Sequence, residues 1–155
     1  MEVDAATGCR IATLNISLLQ PRFHDVMALC LLHNLDVMCL HECRETRLSL
    51  PGTKAAAKKY GYDMLAGSVK KNVGGSPMGG LIVFSRWPAR TITHPAFHDH
   101  DRVQFISLHS PGDKAMILGN VHLPHNEVDA SVLMVHIRKF MARNGLRKML
   151  IGDFN

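Results

Sequence analysis

The sequence predicts a layered α/β protein, and three observations predict it. A β-rich run from Arg10 to Leu19 gives way to apolar residues at helical spacing, and these lead into the short apolar run Asp36 to Leu40, which reads as a buried strand. Two further runs, Val103 to His109 and Ala115 to Val121, flank the turn SPGDK and read as a hairpin. The chain then closes with an amphipathic helix and a last strand. Strands and helices joined by short connections are the mark of stacked α and β layers.

Each element has its own local reason. The first strand run is interrupted by Asn15 and Ser17 and closed by Gln20-Pro21. Phe23, Val26, Met27, Cys30 and Leu31 then fall on one helical stripe, and Asn34 is a plausible stop. After DVMCL comes HECRE, and Lys54 to Tyr60 is a second, basic helix candidate. KKNVGGSPMGG, from Lys70 to Gly80, is punctuated by glycine and proline and reads as a loop without P-loop spacing. LIVFS, from Leu81 to Ser85, is another buried strand, ending on Arg86-Trp87-Pro88. In DASVLMVHIRKFMARNG the stripe is Leu133, Ile137, Phe140 and Met141, with Asn144-Gly145 as the cap. KMLI is the last strand, and it delivers the chain to Gly152-Asp153-Phe154-Asn155.

Composition narrows the class. The chain has 155 residues, 46% of them hydrophobic and 20% charged, which fits one globular domain and excludes wholesale disorder. Residues 1–9 are expected to be a flexible N-terminus and residues 10–155 the domain. The net charge is +5, and between Cys43 and Arg90 nine basic residues stand against two acidic ones, either a footprint for a polyanion or a solvated face. The four cysteines match no zinc or redox spacing. With no apolar leader in MEVDAATGCR, they suggest an intracellular, reducing compartment. No stretch approaches the length of a membrane span.

The chemistry lies where polar residues meet strand ends. Asn15 sits in the first strand run, and Glu42 lies two residues beyond Leu40. His122 follows Val121, and Asp153 and Asn155 follow Ile151. Ligands gather at strand ends in layered α/β proteins. A carboxylate just past a buried strand is costly unless it has a partner, a metal or a task. Singly, such acids and amides usually cap helices or satisfy loop backbone. Together, Glu42, Asp153, Asn15 and Asn155 form an all-oxygen set suited to Mg²⁺ or Mn²⁺ and unsuited to structural zinc. His122 adds a group that can donate to a phosphate oxygen. HDHD (His98 to Asp101) and His122-x-x-His125 invite a zinc reading, but Pro124 opposes a helix presenting both rings, and HDHD reads as an exposed turn. Arg86 and Trp87 are candidate substrate contacts, the indole as a stacking surface or simply a packed rim residue.

TLNIS, DVMCLHECRE, GGLIVFSRWP, GNVHLPHN and IGDFN stand in the order, and at about the intervals, seen in the endonuclease/exonuclease/phosphatase superfamily, which the chain resembles from Arg10 to Asn155. The resemblance implies a deoxyribonuclease-like α/β sandwich that cleaves phosphodiester or phosphomonoester bonds with Mg²⁺ or Mn²⁺. It implies that Asn15 and Glu42 serve the metal, that His122 contacts the scissile phosphate, that Asp153 orients or deprotonates water, and that Asn155 helps hold the transition state. Some nuclease members carry an acid where this chain has Ser17. The superfamily pattern also continues past GDFN to a further Asp and a late Asp-His pair, so the domain is expected to be incomplete at its C-terminus.

The expected function is therefore a metal-dependent nuclease on DNA or RNA, with a retrotransposon-type endonuclease as the narrower reading. A catalytically inactive remnant that at most binds a polyanion is one alternative. An inositol-phosphate or lipid phosphoesterase of the same superfamily is another. Nucleic acid is the expected partner, and no obligate protein partner is evident.

Overall fold

Strand alternation decides which side chains face which layer of this molecule. The computed structural model describes residues 8–68, 70–71, 75, 77–97, 100–109, 111, 115–143 and 145–154. β1 (Ile11–Asn15) runs parallel to β2 (Val37–His41), with Ile11 opposite Val37 and Asn15 opposite His41. α1 (Phe23–Leu32) makes the crossover, entered through a 3-10 turn at Gln20–Arg22. Phe23, Val26, Met27 and Cys30 are buried as the spacing predicts, but Leu31 is 48% exposed. It lies one residue, roughly 100° of turn, past Cys30 and so off the buried face. Asn34 ends the helix in the left-handed region at φ 48°, a conformation Asn tolerates better than most residues.

α2 (Leu50–Lys59) begins four residues before the expected Lys54, because Pro51 is tolerated in a first turn where no N–H is needed. It leads to β3 (Asp63–Ala66), which the pattern did not predict. The glycine-rich stretch, expected as loop throughout, carries β4 (Lys70–Lys71) and β5 (Pro77–Met78), paired as a short antiparallel ribbon. β6 (Ile82–Ser85) then runs antiparallel to both β2 and β3. The second half supplies β7 (Ala89–Thr91), also unpredicted, the hairpin of β8 (Val103–Leu108) and β9 (Met116–His122), α3 (Glu127–Met141), and β10 (Arg147–Asp153), which is parallel to β9. Among the described residues the strands form two four-stranded sheets, ordered β1-β2-β6-β3 and β10-β9-β8-β7.

The sheets stack face to face with helices outside. Met38, Leu40, Ile82 and Phe84 point outward against α1 and α2, while Val37, Cys39 and Val83 point inward. In the second sheet Val103, Phe105 and Val121 point outward against Leu133, Ile137 and Phe140 of α3, while Ile106, Leu108 and Leu118 point inward. Each fully buried aliphatic or aromatic side chain of this kind contributes about 1.5–3 kcal/mol. Asn126 caps α3, its Oδ1 accepting from the N–H groups of Val128 at 2.9 Å and Asp129 at 3.2 Å. The four cysteines are free thiols, and burial pushes Cys39 up to about 12, so it packs as a small hydrophobe. No helix among the described residues is long and apolar enough to cross a membrane.

Gly152 shows how closely β10 approaches β9. Its φ is 157°, and a Cβ there would overlap the backbone carbonyl of Val121. Gly152→Ala is therefore expected to destabilise the fold by about 3 kcal/mol or more. A urea midpoint unchanged from the parent chain would contradict this close approach.

Candidate active site

The inward parity of the strands turns polar at one end of the sandwich. Following Val37 and Cys39 inward brings His41; following Leu118 brings Asn120 and then His122; Asp153 is paired across from His122 at the end of β10. Asn15 ends β1 beside His41. Four strands from two sheets thus place their last inward side chains in one region, where buried polar groups must find partners.

His41 and Asn120, both almost wholly buried, find each other. Asn120 Nδ2 donates to the Leu40 carbonyl at 3.4 Å, which orients the amide so that its Oδ1 accepts from His41 Nε2 at 2.7 Å. The His41 proton is thereby on Nε2. Nδ1 is buried, with no hydrogen-bond partner among the described residues. The His41 ring stacks on that of His122, with centroids 5.7 Å apart and planes 25° off parallel.

His122 stands between two carboxylates. Its Nδ1 lies 3.1 Å from Glu42 Oε1 and its Nε2 lies 3.8 Å from Asp153 Oδ2, so only the first is within hydrogen-bond reach. The Arg102 guanidinium also lies 3.3 Å from Nδ1. Arginine can only donate, so the ring proton cannot serve both contacts, and the shorter, charge-assisted bond to Glu42 is favoured. Burial first, and the Arg102 charge second, hold His122 below the usual imidazole range, with Glu42 and Asp153 opposing them. Burial does the same for His41. Both rings are accordingly neutral near pH 7.

The carboxylates are placed by strain and by closure. Glu42 and Arg44 both sit at positive φ, 55° and 53°, which costs a non-glycine residue about 1–3 kcal/mol. The turn persists because Cys43 N–H donates to the Gly80 carbonyl at 3.1 Å and Arg44 N–H to that of Gly79 at 2.9 Å. Below it, the buried Glu45 accepts from Gln20 Nε2 at 3.1 Å, Ser49 Oγ at 2.6 Å and Thr53 Oγ1 at 3.1 Å. Arg44 also turns back on Glu42, at 3.7 Å. Asn15 Nδ2 donates to Asp153 Oδ2 at 3.3 Å, linking the sheets, while its Oδ1 accepts from Ser17 N–H at 3.3 Å. A recess of about 240 Å³ opens here, lined by Thr13, Asn15, His41 and Asp153 among others.

The oxygen atoms of Glu42, Asp153 and Asn15 are hard donors. No group of three His, Cys, Asp or Glu side chains among the described residues forms an all-protein metal cage. One or two carboxylates with an amide oxygen suit an ion that keeps most of its own waters, as Mg²⁺ and Mn²⁺ do, and not tetrahedral zinc.

Residues 12–155 match the family described as the Endonuclease/Exonuclease/phosphatase family. The chain belongs to that family. Among solved structures, an AP endonuclease from Archaeoglobus fulgidus is similar at a TM-score of 0.71 and 17% identity, over 95% of this chain and 57% of that one. A variant of the 3′ phosphatase NExo from Neisseria, bound to product DNA hairpin, is similar at 0.68 and 21%, over 94% and 57%. The endonuclease domain of TRAS1, a telomere-specific non-LTR retrotransposon, is similar at 0.59 and 9%, over 94% and 59%. This Endonuclease/Exonuclease/phosphatase chain thus spans somewhat more than half the length of these three structures. A search of curated proteins returned no match.

Of the residues expected at the site in this family member, Asn15, Glu42, His122 and Asp153 come together. Asn155 lies outside the described residues. Arg86 and Trp87 do not join them. They follow Ser85, which pairs with Val37 at the opposite end of β2 from His41. There Arg86 Nη1 donates to Asn34 Oδ1 at 2.6 Å and its guanidinium lies over the Tyr62 ring, while Trp87 packs against the inter-sheet core. Of the basic stretch, Arg44 reaches the site, whereas Lys58 pairs with Asp63 on the surface. Of HDHD, His98 and Asp99 lie outside the described residues, and Asp101, expected in an exposed turn, is buried beside Gly79.

Three residues at the site were not singled out from the sequence: His41, Asn120 and Arg102. The first two could have been found by strand parity, since each continues an inward row.

Two depressed histidines make stability depend on pH. The unfolded chain takes these protons near pH 6.5 while the folded site resists them, so the unfolded state binds more protons as pH falls. Stability conferred by the neutral rings is present above that value and lost progressively below it. The urea midpoint is expected to fall between about pH 7.5 and pH 5.5, and less so in His41→Gln. A midpoint that rises over that interval would contradict the assignment.

Proposed function

We propose that this chain carries the phosphate-cleaving centre of a divalent-metal-dependent phosphodiesterase that acts on nucleic acid. The observation that carries the reading is the convergence of His122, Glu42, Asp153 and Asn15 from both sheets on one end of the sandwich. Phosphoryl transfer asks little covalent chemistry of a protein and depends on positioning and charge neutralisation.

In this reading Glu42 and Asn15 hold Mg²⁺ or Mn²⁺, which would supply charge neutralisation at the phosphate. Asp153, with 29% of its side chain exposed, is the carboxylate open to a water molecule, and it orients that water for in-line attack. His122 is kept neutral by burial and by Arg102, and its one ring N–H, held by Glu42 in the free site, would pass to a phosphate oxygen when Glu42 turns to the cation. Arg102 faces the same place and adds a fixed positive charge beside it. Asn155, two residues past Asp153, is assigned the transition-state contact that the family resemblance gives it. Nucleic acid is favoured over a small phosphate ester by the chain's basic balance, +5, and by the DNA hairpin bound to the similar NExo structure.

A second reading rests on a separate observation. The nine Lys and Arg against two acids between Cys43 and Arg90 suit a chain that binds a polyanion without cleaving it. Plasmid cleavage distinguishes the two. The expected result is nicking in Mg²⁺ or Mn²⁺ that chelation abolishes and that Glu42→Ala lowers by about 10²–10³-fold. Binding that weakens steeply with salt, with no cleavage in either metal, would establish the second reading instead.

A further inference from the structure

A second recess, of about 220 Å³, opens at the same end of the sandwich, where β3, β7 and β8 reach their site-side ends. Thr91 and Thr93 contribute to its polar lining, Phe97 and Phe105 to its apolar lining, and Gly67 and Gln104 face each other from the two sheets. A Cβ at Gly67 would lie 3.6 Å from the Gln104 carboxamide carbon and 3.3 Å from the Leu81 carbonyl, so the glycine leaves the amide its room.

Gln104 is the unusual member. It is 3% exposed, and its Nε2 donates across the sandwich to the Leu65 carbonyl at 3.0 Å. That bond settles which end of the amide is the acceptor. Its Oε1 is buried with no hydrogen-bond partner among the described residues. Buried acceptors in folded proteins are nearly always satisfied, and an exception marks a place where a further group belongs. A donor entering the recess is such a group.

The position beside the phosphate site defines what that donor belongs to. Gln104 is two residues along β8 from Arg102, whose carbonyl accepts from His122 N–H at 2.9 Å. Gln104 itself pairs with Asn120, so it lies one strand spacing across and two residues along from His122, roughly 8 Å away, with the recess on its β7 side. That separation is roughly two to three times the ~3.4 Å rise per nucleotide of one strand, a distance that a nucleotide spans from its phosphate to the edge of its base. The volume is below the ~300–1,000 Å³ of a site that engulfs a drug-sized molecule, and it suits a single planar ring. Phe97 in a lining that also carries Ser68, Thr91, Thr93, His100 and the orphaned Gln104 acceptor suits a heteroaromatic ring with an N–H on its edge.

We infer that this recess takes a nucleobase adjoining the cleaved phosphate and that Gln104 Oε1 accepts a hydrogen bond from an N–H of that base. The inference rests on the nucleic-acid reading above and deepens it. It makes Gln104 a substrate-binding residue on β8, separate from the groups that handle the phosphate.

The test maps amide shifts of the ¹⁵N-labelled chain, in chelator, against three probes: thymidine 5′-monophosphate, its N3-methyl analogue, and deoxyribose 5-phosphate. Thymidine monophosphate is expected to shift Gln104, Thr93 and Phe97 together with His122. The N3-methyl analogue, which lacks the ring N–H, is expected to bind about fivefold more weakly, the size of one neutral hydrogen bond. Gln104→Leu is expected to bind the two nucleotides alike, and the wild-type comparison decides the matter if that variant does not fold. Equal binding of both nucleotides to the wild type, or shifts that avoid the recess, would overturn the inference. Deoxyribose 5-phosphate separates it from the phosphate reading. Shifts at His122 and Arg102 with none in the recess from any probe sink the base site alone. Recess shifts with thymidine monophosphate, but no His122 shift with any probe, sink the phosphate reading alone.

Discussion

Two sheets that share a polar site between them must pair most of the polar groups they bury, and here the central pairing is the 2.7 Å hydrogen bond from His41 to Asn120. An unpaired buried donor costs about 1–3 kcal/mol, enough to push a strand out of register or a side chain out of the core. This bond joins β2 of one sheet to β9 of the other, one residue before Glu42 and two before His122. The two imidazole rings of the site hang from it. The His41 ring carries His122 by stacking, and the adjoining backbone turns Glu42 toward it.

The site's other carboxylate depends on a different constraint. Asp153 reaches His122 because Gly152 lets β10 lie against the Val121 carbonyl without a side chain between them. Glu42 instead depends on a turn of two left-handed residues that the loop at Gly79 and Gly80 and the buried Glu45 hold in place. The free energy that maintains that turn comes from packing and hydrogen bonds at Gln20, Ser49 and Thr53, residues that touch no site atom. Local strain at the site is offset by satisfied groups a few residues away.

The layered fold was legible because alternation and helical spacing are local signals. α1, α3 and the β8–β9 hairpin follow directly from where their apolar residues fall. β3 and β7 were not legible, being short edge strands held by pairing with β6 and β8 rather than by pattern. Asn15, Glu42, His122 and Asp153 could be picked out because each interrupts or follows an apolar run. His41 and Asn120 were overlooked because a polar residue inside a strand reads as the end of a pattern, when its parity in fact carries it inward. Arg102 was hidden by its neighbours, since HDHDR reads as a solvated turn while its last two residues are fixed by the hairpin they begin. Closeness in sequence did not translate into closeness in space for the basic stretch: Arg44 turns to the site, Lys58 pairs with Asp63, and Arg86 bonds Asn34 at the far end of β2.

The central claim is that these strand ends make one cation-dependent phosphate site. Paramagnetic broadening of amide signals by substoichiometric Mn²⁺ tests it most directly and needs no turnover. The account predicts broadening centred on Asn15 to Ser17, Glu42 to Arg44, His122 and Asp153, reversed by chelator and absent in Glu42→Gln. Broadening centred on acids away from the strand ends, such as Asp25 or Asp63, or unaffected by Glu42→Gln, would contradict it.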